Sequence, residues 1–459
     1  MIRSGSHPVT ARLVGVTLLV VASARAHAQE PPPTAPPAPP EEERSTGLPK
    51  KDAWTFNLDA AIGAFGFANS LYRNVRPDPP GDLSDSWFEG YVKPAISASF
   101  ALGTSELYGK ISVVGARTYG AAPSLVGEDA SSFKPEELQV GWRSGKALGQ
   151  SENLLEFTVG RAEYTIGHGF LVWDGGGEGG SRGGFWTNAR KAWQFAAIGR
   201  VKPKNHTLEA FYLDRDEVPE SETGSRLWGA NYELTVGESS TFGATYVKAH
   251  ADSDLVPERD GQNVYSARAF TAPFRGLKDL SFELEYARED NGEALTSDGW
   301  TVQAAYEMSR VAWKPRLSYR YAFFEGDDPE TEANEAFDPL FPGFYDWGTW
   351  WQGEIAGEYF LSNSNLASHQ VRLHLTPSES VGAGLIAYLF RLDQPGSLAP
   401  RVTSKDVAFE LDAYADWKVN GNFTASFVAA YANPQDAVAQ AFARTKNFAY
   451  GMVYLAYAY

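Results

Sequence analysis

From Trp54 to the end of the chain, apolar side chains recur at every second position in short segments. "FELEYARE" places Phe282, Leu284 and Tyr286 on one face and Glu283 and Glu285 on the other. "DVAFELDAYADW" sets Val407, Phe409, Leu411 and Trp417 opposite Asp406, Glu410, Asp412 and Asp416. "PRLSYRYAFF" sets Leu317, Tyr319, Tyr321 and Phe323 opposite Arg316, Ser318 and Arg320. A period of two is the signature of a strand with two unlike faces. Gly, Asp, Asn, Ser and Pro separate the segments, as turns require.

Two architectures share this pattern. In a soluble sandwich the apolar face packs inward on a second sheet. In a membrane barrel it faces lipid, and the polar face lines an aqueous lumen. Tyr, Trp and Phe near the strand ends favour the barrel, because interfacial girdles use those residues. Alternating short and long connections favour it too. Inside lipid only a closed sheet satisfies every backbone hydrogen bond.

Nineteen segments read as strands, and parity rejects one. Bacterial barrels have an even number of strands, with both termini on the periplasmic side. Short turns near 103, 148, 204, 238, 276 and 312 then fall on that side. If "TWWQGEIAGEYFL" crossed the membrane, "TPSES" would lie outside and the longer 393–405 and 432–445 connections inside. Taking 325–368 as one extracellular loop restores the order. The fold expected is an all-β, transmembrane antiparallel barrel of about 18 strands, with 349–361 as a helix or folded-in hairpin inside a loop.

The start of the chain sets the compartment. Arg3 and Arg12 precede "LVGVTLLVVASA", and Ala26-His27-Ala28 is an A-x-A site. This predicts a signal peptide over 1–28, cleaved before Gln29. The Pro-rich, charged stretch 29–52 reads as a periplasmic tether, and 53–459 as the barrel. The location expected is the cell outer membrane.

Net charge is −17, and removing the signal leaves 37 basic against 57 acidic residues. Nucleic acid is therefore not an expected partner. Cysteine is absent, which excludes disulfides and thiolate metal sites. Among the histidines, His168, His369 and His374 have no G-x-S-x-G nucleophile elbow to serve. No catalytic residue, cofactor or metal site is expected.

Alternation assigns the lumen face. It receives Lys93, Lys110, Arg143, Arg190, Arg200, Arg268, Arg316, Arg320 and Arg372. It also receives Glu89, Glu137, Glu156, Glu209, Glu233, Glu283, Glu285, Glu307, Glu410 and Asp412. Strict alternation points Arg161 at lipid, and a bulge at Gly160 would return it to the lumen. The basic residues form a candidate solute track, since guanidinium groups bind carboxylates bidentately. The plainer reading is that acids and bases pair across the wall. "WDGGGEGGSRGGFW", Trp173 to Trp186, reads as a surface or constriction loop. Its G-x-G-x-x-G at Gly175, Gly177 and Gly180 lacks the βαβ context of a dinucleotide site. "EGDDPETEANEAFD", Glu325 to Asp338, reads as a solvated acidic loop whose spacing is not that of an EF-hand. The chain ends "MVYLAYAY", a closing strand with Tyr457 and Tyr459 as an assembly signal.

"VGRAEYTIGHGFLVWD", "TNARKAWQFAAIGR" and "HTLEAFYLDRDE" together resemble a segment of the alginate-export family of outer-membrane barrels. "WWQGEIAGEYFLSNSNLASHQVRLHLTPSESVGAGLIAYLFRLDQP" resembles the family's later block. The resemblance implies an eighteen-stranded porin-like barrel with an arginine-lined constriction that passes an acidic polysaccharide. General or small-solute porins, and a non-conducting barrel acting as adhesin or scaffold, are the alternatives. The partners implied are outer-membrane lipid and lipopolysaccharide, the barrel-assembly machinery, and hydrophilic solute or acidic polysaccharide.

Overall fold

The computed structural model describes residues 53–69, 85–120, 122, 129–149, 152–274, 276–350, 352–358, 360–442 and 446–459. The proposed signal peptide and tether lie outside the described residues. Eighteen strands form one sheet. They are β1 Ala53–Ala68, β2 Asp85–Leu102, β3 Ser105–Gly120, β4 Ala130–Arg143, β5 Leu155–Ala162 and β6 Trp193–Val201. Then come β7 His206–Asp214, β8 Arg226–Val236, β9 Ser240–His250, β10 Asn263–Thr271, β11 Leu280–Asp290 and β12 Thr296–Glu307. The last six are β13 Arg316–Phe324, β14 Leu366–Ser378, β15 Val381–Arg391, β16 Asp406–Lys418, β17 Phe423–Pro434 and β18 Phe448–Ala458.

Each strand pairs antiparallel with the next, and β18 pairs with β1, so the sheet is closed. Closure leaves no edge, which a lipid environment demands. The seam runs from Asp59↔Ala458 to Ala68↔Ala449. Beyond it, Leu58 and Tyr459 exchange two backbone hydrogen bonds of 3.0 Å each, so the terminal residue is held. Short turns and both ends of the barrel lie at one rim, which is the periplasmic rim by the rule for such barrels.

The alternation has the orientation of a membrane barrel. On β11, Leu284 and Tyr286 are exposed to the outside while Glu285 is buried inward. Leu317 and Tyr319 on β13, and Leu411 on β16, repeat the pattern. Among the described residues, the region 325–365 contains no membrane strand. Within it, Gly353–Gly357 forms one wide helical turn, closed by Gly357 N–H donating to Gln352 O at 3.2 Å. The period-two look of 349–361 is therefore misleading. Among the described residues of that stretch, Trp350, Ile355 and Ala356 are buried in the inner cluster.

The largest buried apolar cluster lies inside the barrel. Two long connections, 163–192 and 325–365, fold into the lumen and pack against wall residues. Trp186, Trp193, Phe170 and Phe341 are among the largest fully buried side chains. The loops also hold each other. Phe341 N–H donates to Leu171 O (3.0 Å), and Trp173 N–H to Phe341 O (2.8 Å). Trp350 Nε1–H donates to the carbonyl of His168 at 2.8 Å.

Candidate pore and its inner loops

The glycine-rich loop is docked by acids of the wall. Glu89 on β2 accepts the N–H groups of Trp186 (2.7 Å) and Thr187 (3.0 Å). Glu136 on β4 accepts those of Lys191 (2.7 Å) and Ala192 (2.9 Å). Thr118 Oγ1 on β3 accepts Gly184 N–H at 2.7 Å. A carboxylate that takes two N–H groups from one turn fixes that turn in position, because buried donors need an acceptor. Glycine lets the backbone come this close to its neighbours. A Cβ on Gly175 would lie 2.5 Å from the Trp193 ring and backbone.

Arg161 turns inward. The register of β5 against β6 shifts between Gly160 and Ala162, which is the bulge the sequence requires for that. Its guanidinium reaches Asp216 and the carbonyl of Glu136. Arg182 meets the same Asp216 at 2.9 Å and also donates to the carbonyls of Gly177 and Asp216. Burial pushes the Asp216 carboxyl up, but the guanidiniums of Arg182 and Arg161 outweigh it and hold it below its ordinary value. Arg190 is not on β6, where alternation puts it. It precedes the strand and is fully buried, 3.6 Å from Glu178 and 3.8 Å from Glu136. Alternation fails there because the loop backbone is not extended. Burial raises the Glu178 carboxyl well above its ordinary value, despite Arg190.

The second loop meets bases at one end and acids at the other. Arg372 on β14 reaches Asp346 at 2.6 Å, the carbonyl of Trp347 at 2.9 Å and the Tyr414 hydroxyl. Arg320 on β13 donates to the carbonyls of Gly348 and Thr349 and lies 5.3 Å from the Trp350 ring. Trp347 Nε1–H donates to Asp416 at 2.7 Å. Seven residues on, Glu410 accepts the N–H groups of Ile355 and Ala356, each at 2.8 Å, and Asp412 accepts that of Glu354 at 3.2 Å. Gly353 has φ +97°, and a Cβ there would lie 2.6 Å from Glu410 Oε1, so the turn needs glycine.

What remains facing pore water is mixed in sign. Lys93 pairs with Glu163 (3.4 Å) and Lys110 with Glu137 (2.9 Å). Arg143 pairs with Glu106 (2.7 Å), and Arg200 with Glu209 (2.6 Å) and Glu156 (3.4 Å). Arg268 meets Glu233, Asn231 and Thr245 and is only 3% exposed. Glu163, just past β5, is the most open of these groups, with its side chain 44% exposed. Enclosure by the walls works against its ionisation, but Lys93, Lys110 and Lys191 win and hold it below the ordinary carboxylate range.

Across the lumen, Glu283 on β11 takes the Tyr345 hydroxyl at 3.2 Å and lies 3.6 Å from His168 Nδ1. The His168 ring stacks on Phe270 with centroids 3.9 Å apart. Arg316 stands at the periplasmic end of β13, opposite His374 on β14 and Glu307 on β12. It is half-buried and, among the described residues, forms no ion pair or hydrogen bond, though its charge acts on Glu283 and His374. Glu285, by contrast, is buried beside Arg268, its register partner on β10.

Of the candidate track, Arg190, Arg268, Arg320 and Arg372 are all at most 7% exposed and spend their donors on loops or wall. Lys93, Lys110, Arg143, Arg161, Arg200 and Arg316 keep some accessible surface in the lumen. Sequence reasoning missed Glu136, Glu163, Arg182 and Asp216, and it had no use for Glu89 beyond lining. Among the described residues, no group of three or more His, Asp and Glu side chains is placed to hold a metal.

A closed eighteen-strand antiparallel barrel with an apolar outside, a charged inside and inner loops defines an outer-membrane barrel of the porin type. Solved structures agree on the fold. Pseudomonas aeruginosa OpdQ superposes with a TM-score of 0.55 at 11% identity, over 88% of this chain and 97% of that one. Acinetobacter baumannii OccAB4 gives 0.54 at 8% identity, over 88% and 98%. Residues 142–452 match the family model described as alginate export. The chain belongs to the alginate export family. No curated protein matches it.

Proposed function

We propose that this barrel is a channel for hydrophilic anionic solutes, with acidic polysaccharide of the alginate class as its cargo. The observation that carries the reading is Arg316. It is a lumen guanidinium with accessible surface whose charge acts on Glu283 and His374, and among the described residues it makes no hydrogen bond or ion pair, so its donors are open to a passing carboxylate. Lys93 and Lys110, both partly accessible, extend the cationic surface on the other side of the lumen. The cargo is not altered chemically. Lumen groups replace part of its hydration shell at the narrowing made by the inner loops.

Single-channel recording in planar bilayers tests this. The expected result is an open channel that uronate oligomers block, with block weakened about tenfold in Arg316→Ala, the loss of one charge-assisted contact. A general small-solute porin is the second reading, favoured by the pairing of lumen bases with acids at Lys110–Glu137, Arg143–Glu106 and Arg200–Glu209. Conductance with weak ion selectivity and no uronate block would establish it instead. A folded protein that conducts no ions would remove both readings and leave the adhesin or scaffold alternative.

A further inference from the structure

The turn Gly353–Gly357 occupies a corner of the lumen against β16, β17 and β18. The strand acids there serve the loop backbone: Glu410 accepts from Ile355 and Ala356, and Asp412 from Glu354. The loop's own acids are not served in return. Glu354 is 8% and Glu358 9% exposed. Both carboxylate oxygens of Glu358 are buried without a hydrogen-bond partner among the described residues, and so is Asp412 Oδ1.

Among the described residues, the charged groups that act on Glu354 and Glu358 are acids. Glu354 faces Asp412 and Asp416, and Glu358 faces Glu354 and Glu89. From β15 the phenol of Tyr388 faces Glu410 and Asp412. From β17, Ser426 donates to Asp416 at 2.5 Å. The inward residues of β18 in this region include Tyr450, Met452 and Tyr454, none of them cationic. The wall arginines that meet this loop are engaged elsewhere, Arg372 with Asp346 and Tyr414, and Arg320 with the carbonyls of Gly348 and Thr349. Buried carboxylates without countercharge or donors are strongly unfavourable, and the inexpensive remedy is a proton.

We propose that the segment 352–358 is a proton-held gate: it stays docked on β16 while Glu354 and Glu358 carry protons, and it leaves the wall, widening the pore, when they lose them to pore water. The proposal rests on the channel reading above and adds its regulation. Burial, then the neighbouring acids, push both carboxyls well above their ordinary value. The docked state thus binds protons more tightly than a released one. Docking is at full strength below the ordinary carboxylate value and weakens as pH rises from there through the docked-state values.

The test is single-channel conductance at pH 5, 7 and 9 for the native chain and for the double variant Glu354→Gln, Glu358→Gln. The native channel is expected to pass to a larger conductance as pH rises, and the double variant to keep the small conductance throughout. A native channel that conducts equally at each pH overturns the gate and leaves the channel standing. So does a double variant that keeps the native pH dependence. Absence of conductance at every pH strikes the channel reading instead. The gate is then decided by protease cleavage within 352–358 of the folded barrel, which must increase with pH. If the double variant does not fold, Glu358→Gln alone serves, since among the described residues Glu358 has no side-chain hydrogen bond to lose.

Discussion

The loop 163–192 brings cations into the lumen, whereas the inner part of 325–365 brings acids. In the first, Arg182 and Arg190 meet Asp216, Glu178 and Glu136. Glu89 and Glu136 on the wall take four backbone N–H groups from it. In the second, Arg372 and Arg320 of the wall grip the stretch 346–349, and Arg259 pairs with Asp338. Beyond it, acid faces acid. Two loops of similar burial therefore differ in what holds them. One is a charge-compensated scaffold. The other is compensated at one end and relies on protons at the other.

The largest blow to this contrast is Asp216→Ala. It leaves two guanidiniums in a mostly buried site without their acceptor, a loss of about 3–5 kcal/mol. Trypsin cleavage after Arg182 should then accelerate sharply while cleavage in 325–365 does not. If both loops respond together, they are one unit and the comparison fails.

Next in size come two matched truncations. Glu89→Ala strands two buried N–H groups, at about 1–3 kcal/mol each. Glu410→Ala strands two as well but also removes a carboxyl from a corner where acid faces acid, so it should cost less. Thermal unfolding of the two variants in one detergent measures the difference, and the reverse order would break the argument.

The pH response comes third. Asp216 is held below its ordinary value. Its contribution is therefore present above the unfolded value and is lost as pH falls through the lowered one. Glu178 in the same loop works in the other direction, so the readout is cleavage at Arg182, the residue that Asp216 grips. That cleavage should rise only on strong acidification, whereas cleavage within 352–358 should rise with alkali. Smaller again is Trp347→Phe, which loses the donor to Asp416 and should cost about 1 kcal/mol, seen as a modestly lower unfolding temperature. Deleting Tyr459 touches neither loop. It should lower the yield of folded barrel and leave the conductance of the folded fraction unchanged.

The wall was legible in the sequence because its physics is local. Period two and turn residues place β10 at Asn263 and β16 at Asp406 without knowledge of their neighbours. Loop-length order alone withdraws 349–361 from the membrane. The inner loops were not legible, because alternation says which way Glu89 points but not what arrives there. Its partners Trp186 and Thr187 lie almost a hundred residues away, on a backbone with no period. Arg190 shows the cost of carrying alternation past a strand end. Arg320 and Arg372 point inward from the wall, but burial by the second loop removes them from pore water.

One tryptophan has a place in the architecture out of proportion to its size. Trp186 lies 4.9 Å from Phe65 on β1 and 5.3 Å from Tyr454 on β18. Those two strands are the first and last of the wall. A side chain from the middle of the chain thus touches both lips of the join, as a keystone touches both halves of an arch. The ring is complete only when its beginning, its middle and its end meet at one point.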